Sequence, residues 1–217
     1  MIASHAWWLA SRAVGIVAYL ALSASVVMGL SMALRIAPVR FRPGLRVTHE
    51  RVALIALAGI LAHGLLLLPD SWLRPTIVQL VVPFDSGYRP LWTGLGIVAM
   101  YLAAALSLTY YARRRIGVRR WRNAHRLIPI AWGLSAVHVL GAGTDAGSLW
   151  LEIVLALTTA AIVALLGARL AGDGRSKALA PAPPRVARTA PVSTSSPSRA
   201  ASPAGPLWMD RRMSGDD

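Results

Sequence analysis

The chain has 217 residues, 55% of them hydrophobic, and a mean hydropathy of +0.53. It contains no cysteine, which excludes disulfides, thiolate metal sites and a cysteine nucleophile within the chain. The formal charge is +14, but the arginines lie beside long apolar runs and no nucleic-acid-binding module is visible, so no nucleic acid partner is expected. Apolar runs of this length are typical of helical membrane proteins.

Five apolar stretches predict transmembrane helices that cross a lipid bilayer. In chain order they cover about Trp7 to Leu34, His49 to Leu68, Leu91 to Tyr111, Ala124 to Ala142, and Leu149 to Leu170. We therefore expect an all-α, polytopic membrane helix bundle in residues 1–171. Residues 172–217 are rich in Ala, Pro, Ser and Arg. Such a segment buries too little apolar surface to offset the entropy of ordering, so it is predicted to be a disordered cytoplasmic tail.

Arginine placement predicts the orientation of the chain. The loops after the first and third spans contain Arg35, Arg40, Arg42 and Arg46, and Arg113, Arg114, Arg115, Arg119, Arg120 and Arg122. The loop after the second span has only Arg74 and Arg89, and the loop after the fourth has none. The positive-inside rule therefore predicts a multi-pass cell membrane protein with its N-terminus outside and its C-terminus in the cytoplasm. Lysines are few beside many arginines, which is typical of a GC-rich bacterial genome, so a bacterial cytoplasmic membrane is expected.

The predicted outer side carries one apolar segment and a few carboxylates. Thr76 to Phe84 is apolar but too short to cross a bilayer, which is compatible with an interfacial or a re-entrant piece. Asp70, Asp85 and Asp145 lie in outer loops, and Glu152 lies at the start of the fifth span. We expect these carboxylates to be solvated, with attraction of a ferric chelate as the alternative.

Four of the five histidines lie on the second and fourth spans. His49 and His63 are 14 residues apart, and His125 and His138 are 13 apart. Both spans start at the predicted cytoplasmic face, so they run parallel and each histidine has a partner at its own depth. The two levels are separated by about 20 Å, at about 1.5 Å per residue.

Two levels of paired imidazoles suggest haem ligation. One imidazole from each of two facing helices fills both axial positions of a haem iron. Two such layers predict two bis-histidine haems stacked across the bilayer, with a role in electron transfer because both axial positions are taken. The alternative is a non-enzymatic membrane protein, such as a small transporter or an assembly factor, whose histidines form structural hydrogen bonds between helices. A third alternative, also of the redox class, is a different type of two-haem b cytochrome. It likewise uses two histidine pairs but usually places them on four helices, whereas these lie on two.

Helical phase agrees with this arrangement on the second span and not on the fourth. Fourteen residues leave a net rotation of about 40°, so His49 and His63 share a face. Thirteen residues leave about 140°, which separates His125 from His138 on an ideal helix. Pro129 lies between them, and a proline-induced kink is the expected correction.

Three arginines are candidates for binding the haem propionates, because guanidinium groups pair with carboxylates. Arg51 and Arg126 closely follow the inner histidines, where the positive-inside rule alone would also place them. Arg12 lies in the outer part of the first span, where snorkelling to the surface is the alternative. His5 has no partner histidine and is expected at the surface.

The sequence resembles the ferric reductase-like transmembrane domain family over about residues 7 to 150. This family includes ferric-chelate reductases, the membrane domains of NADPH oxidases and the haem subunit of a bacterial methionine sulfoxide reductase system. The four-histidine spacing carries most of the resemblance. The segments Ser11 to Gly15, Trp121 to Arg126 and His138 to Asp145 are also similar to family members.

The resemblance implies two haems b bound by the four histidines: His49, His63, His125 and His138. It also implies an electron acceptor at the outer face, such as a ferric chelate or a reductase partner. The chain departs from the family in having five predicted spans rather than six. It also has no glycine-rich dinucleotide fingerprint. If it is an oxidoreductase, we expect a membrane subunit without its own flavin or NADPH domain, supplied by a separate flavoprotein or a quinol donor.

Overall fold

The computed structural model describes residues 5–178, which are helical with short connections. The helices are α1 (Ala6–Ala33), α2 (Arg42–Leu65), α3 (Ile77–Val81), α4 (Pro90–Leu108), α5 (Arg113–Ile116), α6 (Val118–His125), α7 (Ile128–Ala142) and α8 (Leu149–Ala178), with a 3-10 turn at Val39–Phe41. No strand occurs within the described range. The predicted all-α membrane bundle is therefore confirmed. The tail predicted from residue 172 lies outside the described residues, apart from 172–178, which continue α8.

Three helices in the described part of the chain are long and apolar enough to cross a membrane. They are α1, α4 and the Leu149–Gly172 part of α8. The other two predicted spans carry the histidines. Helix α7 has 15 residues and is therefore about 22 Å long, whereas α2 has 24 residues and charged side chains in its first turns. The number of clear membrane-crossing helices is thus smaller than the five predicted, although a helix is present at each predicted span.

The helices pack as two antiparallel pairs. Helix α1 lies along α2, and α4 lies along α7, while α1 also contacts α7 and α8 and α2 contacts α4. Within the first pair, Ser11 contacts His63 and Ser25 contacts His49. His49 pairs with His125 on α6, and His63 pairs with His138 on α7. The α6–α7 stretch therefore runs parallel to α2, as the sequence predicts.

Proline marks the starts of the helices that carry or support the histidines. Helices α2, α4 and α7 each have a proline at one of their first two positions: Pro43, Pro90 and Pro129, respectively. A proline has no N–H to leave unpaired there, and its fixed φ suits a helix start. Arg89, just before α4, has a φ of 42°, which places the chain in a left-handed turn before the helix begins.

The fourth predicted span is interrupted rather than kinked. Helix α6 ends at His125 and α7 begins at Ile128, with a turn at Arg126 and Leu127 between them. Pro129 cannot donate the hydrogen bond that the His125 carbonyl would receive in a continuous helix, so the helix ends there. The break resets the helical phase, which resolves the mismatch between the 13-residue spacing and a shared face. The predicted cause, Pro129, is correct, but its effect is a new helix.

The centre of the bundle is built around an aromatic pair between the two histidine levels. Tyr19 and Trp132 stack with ring centroids 6.5 Å apart and an interplanar angle of 29°. The Trp132 indole N–H donates to Ser23 Oγ at 2.9 Å, and the Tyr19 hydroxyl lies 2.8 Å from Thr158 Oγ1. These contacts join α1, α7 and α8, and every polar atom that they bury has a partner, as a membrane interior requires.

Substitution of Gly59 tests the close approach of α1 and α2. A Cβ at Gly59 would lie 3.0 Å from the Cβ of Ala18, so Gly59→Leu must overpack the helix pair. We expect a loss of about 1–3 kcal/mol in the free energy of unfolding, measured as a lower Tm by circular dichroism in detergent. Gly167→Leu on α8 is the matched control, because no atom lies within 4 Å of its Cβ position. Equal Tm values for the two variants would contradict this packing.

Candidate functional site

The structure brings the four histidines together as two pairs. The rings of His49 and His125 have centroids 6.3 Å apart and an interplanar angle of 86°. The rings of His63 and His138 have the same centroid separation, 6.3 Å, and an angle of 77°. Each pair joins one histidine from the α2 side of the bundle to one from the α6–α7 side. The two sites therefore repeat one geometry at two levels.

A backbone carbonyl of a neighbouring helix holds each of the four imidazoles through Nδ1. The Nδ1 atoms lie 3.0 Å from Ser25 O for His49, 2.8 Å from Ser11 O for His63, 3.0 Å from Leu106 O for His125, and 2.8 Å from Trp92 O for His138. A carbonyl oxygen only accepts hydrogen bonds, so Nδ1 must carry the proton and donate it. The four rings therefore share one tautomer.

This tautomer leaves Nε2 of every ring with a free lone pair. Neutral imidazole has one N–H, and here Nδ1 uses it. Two facing rings with unprotonated Nε2 atoms cannot hydrogen-bond to each other, because neither offers a donor. No partner for these Nε2 atoms occurs among residues 5–178. An electron-pair acceptor such as a metal ion can bind an unprotonated Nε2, and an Nδ1–H bond to a carbonyl is the usual support of a metal-bound histidine.

Three of the four histidines are supported by the neighbouring helix in the same way. The carbonyl of residue i accepts the Nδ1 proton, and residue i+4 is a glycine that leaves room for the ring. A Cβ at Gly15 would lie 2.7 Å from His63 Nδ1, and a Cβ at Gly29 would lie 3.4 Å from His49 Cε1. A Cβ at Gly96 would lie 2.5 Å from His138 Nδ1. The ring therefore sits directly over the glycine, one helical turn beyond the carbonyl that holds it.

His125 is held differently, between aromatic rings. Trp121, one turn earlier on α6, stacks on it with centroids 5.4 Å apart at 28°. Tyr110 packs edge-on against Trp121 at 5.6 Å, and the Arg113 guanidinium lies 3.8 Å from the centre of the Tyr110 ring. The indole N–H of Trp121 is buried and has no hydrogen-bond partner among the described residues. A buried donor beside this pair suits an acceptor group, such as a carboxylate of a bound cofactor.

A cavity of about 650 Å³ adjoins the His63–His138 pair. Most of its surface is apolar, but polar side chains also line it, among them Arg12, Arg74, Gln79 and Asp145. The volume falls in the range of about 300–1,000 Å³ that small-molecule and cofactor sites occupy. A cofactor with a large apolar body and a few polar groups fits such a lining.

The separation of the paired rings matches axial ligation of a single metal. Imidazole nitrogens bind metal ions at about 2 Å, and a ring nitrogen lies roughly 1 Å from its ring centre, so two axial imidazoles place their centres about 6 Å apart. Each pair supplies two ligands, whereas a zinc site uses three or four from the protein. A porphyrin provides four nitrogens of its own and leaves up to two positions on its iron for protein ligands, so a pair of imidazoles would fit haem.

Arg12, predicted to bind a propionate, lines the cavity and is already paired. Its Nε donates to Asp145 Oδ2 at 2.5 Å and its Nη2 donates to Asp145 Oδ1, while Trp8 stacks on the guanidinium at 5.4 Å. The side chains of Arg12 and Asp145 are 36% and 15% exposed. This bidentate pair joins α1 to the connection after α7. Arg51 and Arg126, the other two candidates, have exposed side chains near the inner histidines.

The outer carboxylates differ more than the sequence suggests. Asp85 and Glu152 are exposed, as expected for solvated groups. Asp70 is 2% exposed, and its Oδ1 accepts the backbone N–H groups of Trp72 and Leu73 at 3.0 and 2.8 Å. The expectation that Asp70 and Asp145 are solvated is wrong, because one caps a turn and the other pairs with Arg12. His5 lies at the exposed start of α1, as expected.

Sequence reasoning missed the residues that orient the histidines, although a signal for them exists. Ser11 and Gly15 recur as Ser25 and Gly29, 14 residues later in α1. This interval equals that between His49 and His63 on the antiparallel α2, so each Ser-x3-Gly unit meets one histidine. Trp92 and Leu106, whose carbonyls hold the other two histidines, are also 14 residues apart. The repeat could have been found by comparing spacings between helices.

No protein-family model, curated protein or solved structure matches the chain. The fold is that of a helical membrane protein. Its candidate site consists of two pairs of imidazoles, whose chemistry suits metal binding.

A double-mutant cycle tests the pairing of Arg12 with Asp145. We expect Arg12→Gln and Asp145→Asn each to lower the Tm, and the double variant to lose less than the sum of the two, because the second change removes a group already left unpaired. Both side chains are partly exposed, so the coupling energy should be about 1 kcal/mol. Strictly additive losses would show that the two groups do not stabilise one another.

Proposed function

We propose that this chain is a di-haem b electron-transfer protein of the cell membrane, related to the ferric reductase-like family. Each histidine pair would bind one haem b through its iron: His49 with His125, and His63 with His138. Electrons would pass from one face of the bilayer to the other. The observation that carries this proposal is that both pairs have ring centres 6.3 Å apart with every Nδ1 proton already donated to a carbonyl.

Haem iron, when bound, supplies one-electron chemistry by alternating between its ferric and ferrous states. The residues of this chain set the conditions for it. The two imidazoles at each site would both bind the iron, which would keep dioxygen and substrates off it. The Nδ1–H bonds to Ser11 O, Ser25 O, Leu106 O and Trp92 O raise the basicity of each ligand and hold its ring angle. The mostly apolar surface around His63 and His138 would keep the dielectric low near that site.

The spacing of the two sites supports a transmembrane path. His49 and His63 are separated by 14 residues of α2, which is about 20 Å along the helix. The connections rich in arginine, residues 34–41 and 109–117, lie at the end of the bundle near His49 and His125. The positive-inside rule then assigns that end to the cytoplasm and the His63–His138 site to the outer face, with the N-terminus outside.

The electron donor would be a separate cytoplasmic flavoprotein or a membrane quinol, because the chain has no dinucleotide-binding fingerprint. The acceptor would act at the outer face, as a ferric chelate or a reductase partner. Arg12, Arg51 and Arg126 remain the candidates for the haem propionates, and the unpaired Trp121 N–H adds a donor near the inner site. If the histidines are structural instead, the chain is a transporter or an assembly factor without haem.

Absorbance spectroscopy with single histidine variants tests the haem proposal. The purified protein, expressed with adequate haem, should give the reduced-minus-oxidised spectrum of low-spin b haem, with about two haems per chain. His63→Ala and His138→Ala should lose one haem, and His49→Ala and His125→Ala should lose the other. His5→Ala is the control and should keep both. A featureless spectrum, or loss of the same haem in His49→Ala and His63→Ala, would contradict the assignment.

Serine substitutions test whether the α1 hydroxyl groups tune the two sites separately. Ser11 Oγ lies 3.0 Å from His63 Nδ1, and Ser25 Oγ lies 3.2 Å from His49 Nδ1. Each hydroxyl oxygen can accept the Nδ1 proton of its histidine, and its removal should make that imidazole less basic. Ser11→Ala should therefore raise the midpoint potential of the His63–His138 haem alone. Ser25→Ala should do the same at the other haem. The shift should be roughly 30–60 mV, since tenfold in a one-electron equilibrium is about 59 mV. Shifts of both haems in either variant would contradict this division.

A further inference from the structure

The segment between α2 and α4 exposes an unusual amount of apolar surface. Around the five-residue helix α3, the exposed apolar side chains are Ile77 at 67%, Val78 at 54%, Val81 at 43%, Val82 at 43% and Phe84 at 50%. Gln79 is the only polar side chain between Ile77 and Phe84. A patch of this kind needs a cover, which is either lipid or another protein.

The position of this segment beside α4 indicates how deep it lies. The Phe84 ring packs against Gly94, in the second turn of α4. The Tyr101 hydroxyl donates to the Val81 carbonyl at 2.6 Å. Tyr101 is 11 residues beyond Pro90, and helical side chains lean toward the N-terminus, so Val81 lies on the order of 10 Å below the start of α4. Because α4 is one of the candidate membrane spans, this depth falls within the hydrocarbon layer.

Several backbone groups of the segment are hydrogen-bonded within the protein. Thr76 and Gln79 form a reciprocal capping box, with Thr76 N donating to Gln79 Oε1 at 3.1 Å and Gln79 N donating to Thr76 Oγ1 at 3.3 Å. Val82 N donates to Val78 O at 2.7 Å, and Tyr101 satisfies Val81 O. Non-helical backbone is tolerated at membrane depth only where the protein supplies such partners.

The opposite side of the segment faces the cavity. Gln79 and Leu80 line the same cavity as His63 and His138. Phe84, which ends the segment, has a φ of 69°, a left-handed conformation that is rare for a bulky residue and persists only where the surroundings hold it. The Phe84 ring packs so closely on Gly94 that a Cβ there would clash with it. This contact stabilises the left-handed conformation of Phe84.

We propose that residues 76–84 form a re-entrant half-span, inserted beside α4 with its apolar face covered by lipid acyl chains. Through Gln79 and Leu80, which line the His63–His138 cavity, it would separate that cavity from the hydrocarbon. The proposal depends on the membrane placement of α4. It does not depend on whether haem is bound, so it can fail or hold independently of the proposed function.

Single cysteines test the depth directly, because the chain has no cysteine of its own. Val78→Cys and Val82→Cys, reconstituted in lipid nanodiscs, should react with a membrane-impermeant maleimide at least about tenfold more slowly than Asp85→Cys. The reason is that hydrocarbon suppresses the reactive thiolate and excludes the reagent. Asp85 is exposed, as Val78 and Val82 are, so it is the matched control. Equal rates would overturn the proposal and point to a water-exposed patch.

Two further measurements keep the proposal testable. Adding Tyr101→Phe to Val82→Cys removes the donor to the Val81 carbonyl and should raise the labelling rate, whereas Tyr111→Phe, at the other end of α4, should not. If the cysteine variants fail to fold, hydrogen exchange of the unmodified protein in nanodiscs replaces them. A five-residue helix gives little protection in water, so slow exchange of amides 77–82 requires burial in lipid. Fast exchange there would overturn the proposal.

Discussion

The hydrogen bond from histidine Nδ1 to a backbone carbonyl is the interaction on which the arrangement of this site depends. It occurs four times, at distances of 2.8 to 3.0 Å. Each bond selects the tautomer, fixes the ring and leaves Nε2 as an electron-pair donor. The carbonyl already belongs to a helix, so the acceptor cannot move without loss of the helix. Rings placed in this way are preorganised, and the two pairs reach the same separation although their helical contexts differ.

The requirement for these bonds explains several otherwise separate features of the sequence. A ring that docks on the carbonyl of residue i lies over residue i+4, where a side chain would collide with it, and Gly15, Gly29 and Gly96 are placed there. The fourth such position is Tyr110, and there the ring of His125 is held by Trp121 instead. The His49–His125 pair thus has one ring over a glycine and one against an indole, whereas both rings of the His63–His138 pair lie over glycines.

The sequence predicted the helices and the histidine pairs well, because both depend on periodicity. Apolar runs locate α1, α4 and α8, and spacings of 14 and 13 residues on parallel helices place His63 beside His138. The break after His125 was only partly predictable. Pro129 signals a disturbance, but whether a helix kinks or restarts depends on tertiary packing. The pairing of Arg12 with Asp145 joins residues 133 positions apart, and nothing local in the sequence encodes it. The burial of Asp70 depends in the same way on how the outer loop folds back.

Whether each histidine pair binds one iron from both sides is the central question, and electron paramagnetic resonance of the oxidised protein answers it most directly. If iron is bound, imidazole planes at 86° and 77° to one another would leave its orbitals nearly degenerate. We therefore predict two low-spin ferric signals with strong g anisotropy, in equal amounts. High-spin ferric haem would mean that an axial imidazole is missing, and the absence of any haem signal from protein produced with sufficient haem would contradict the account.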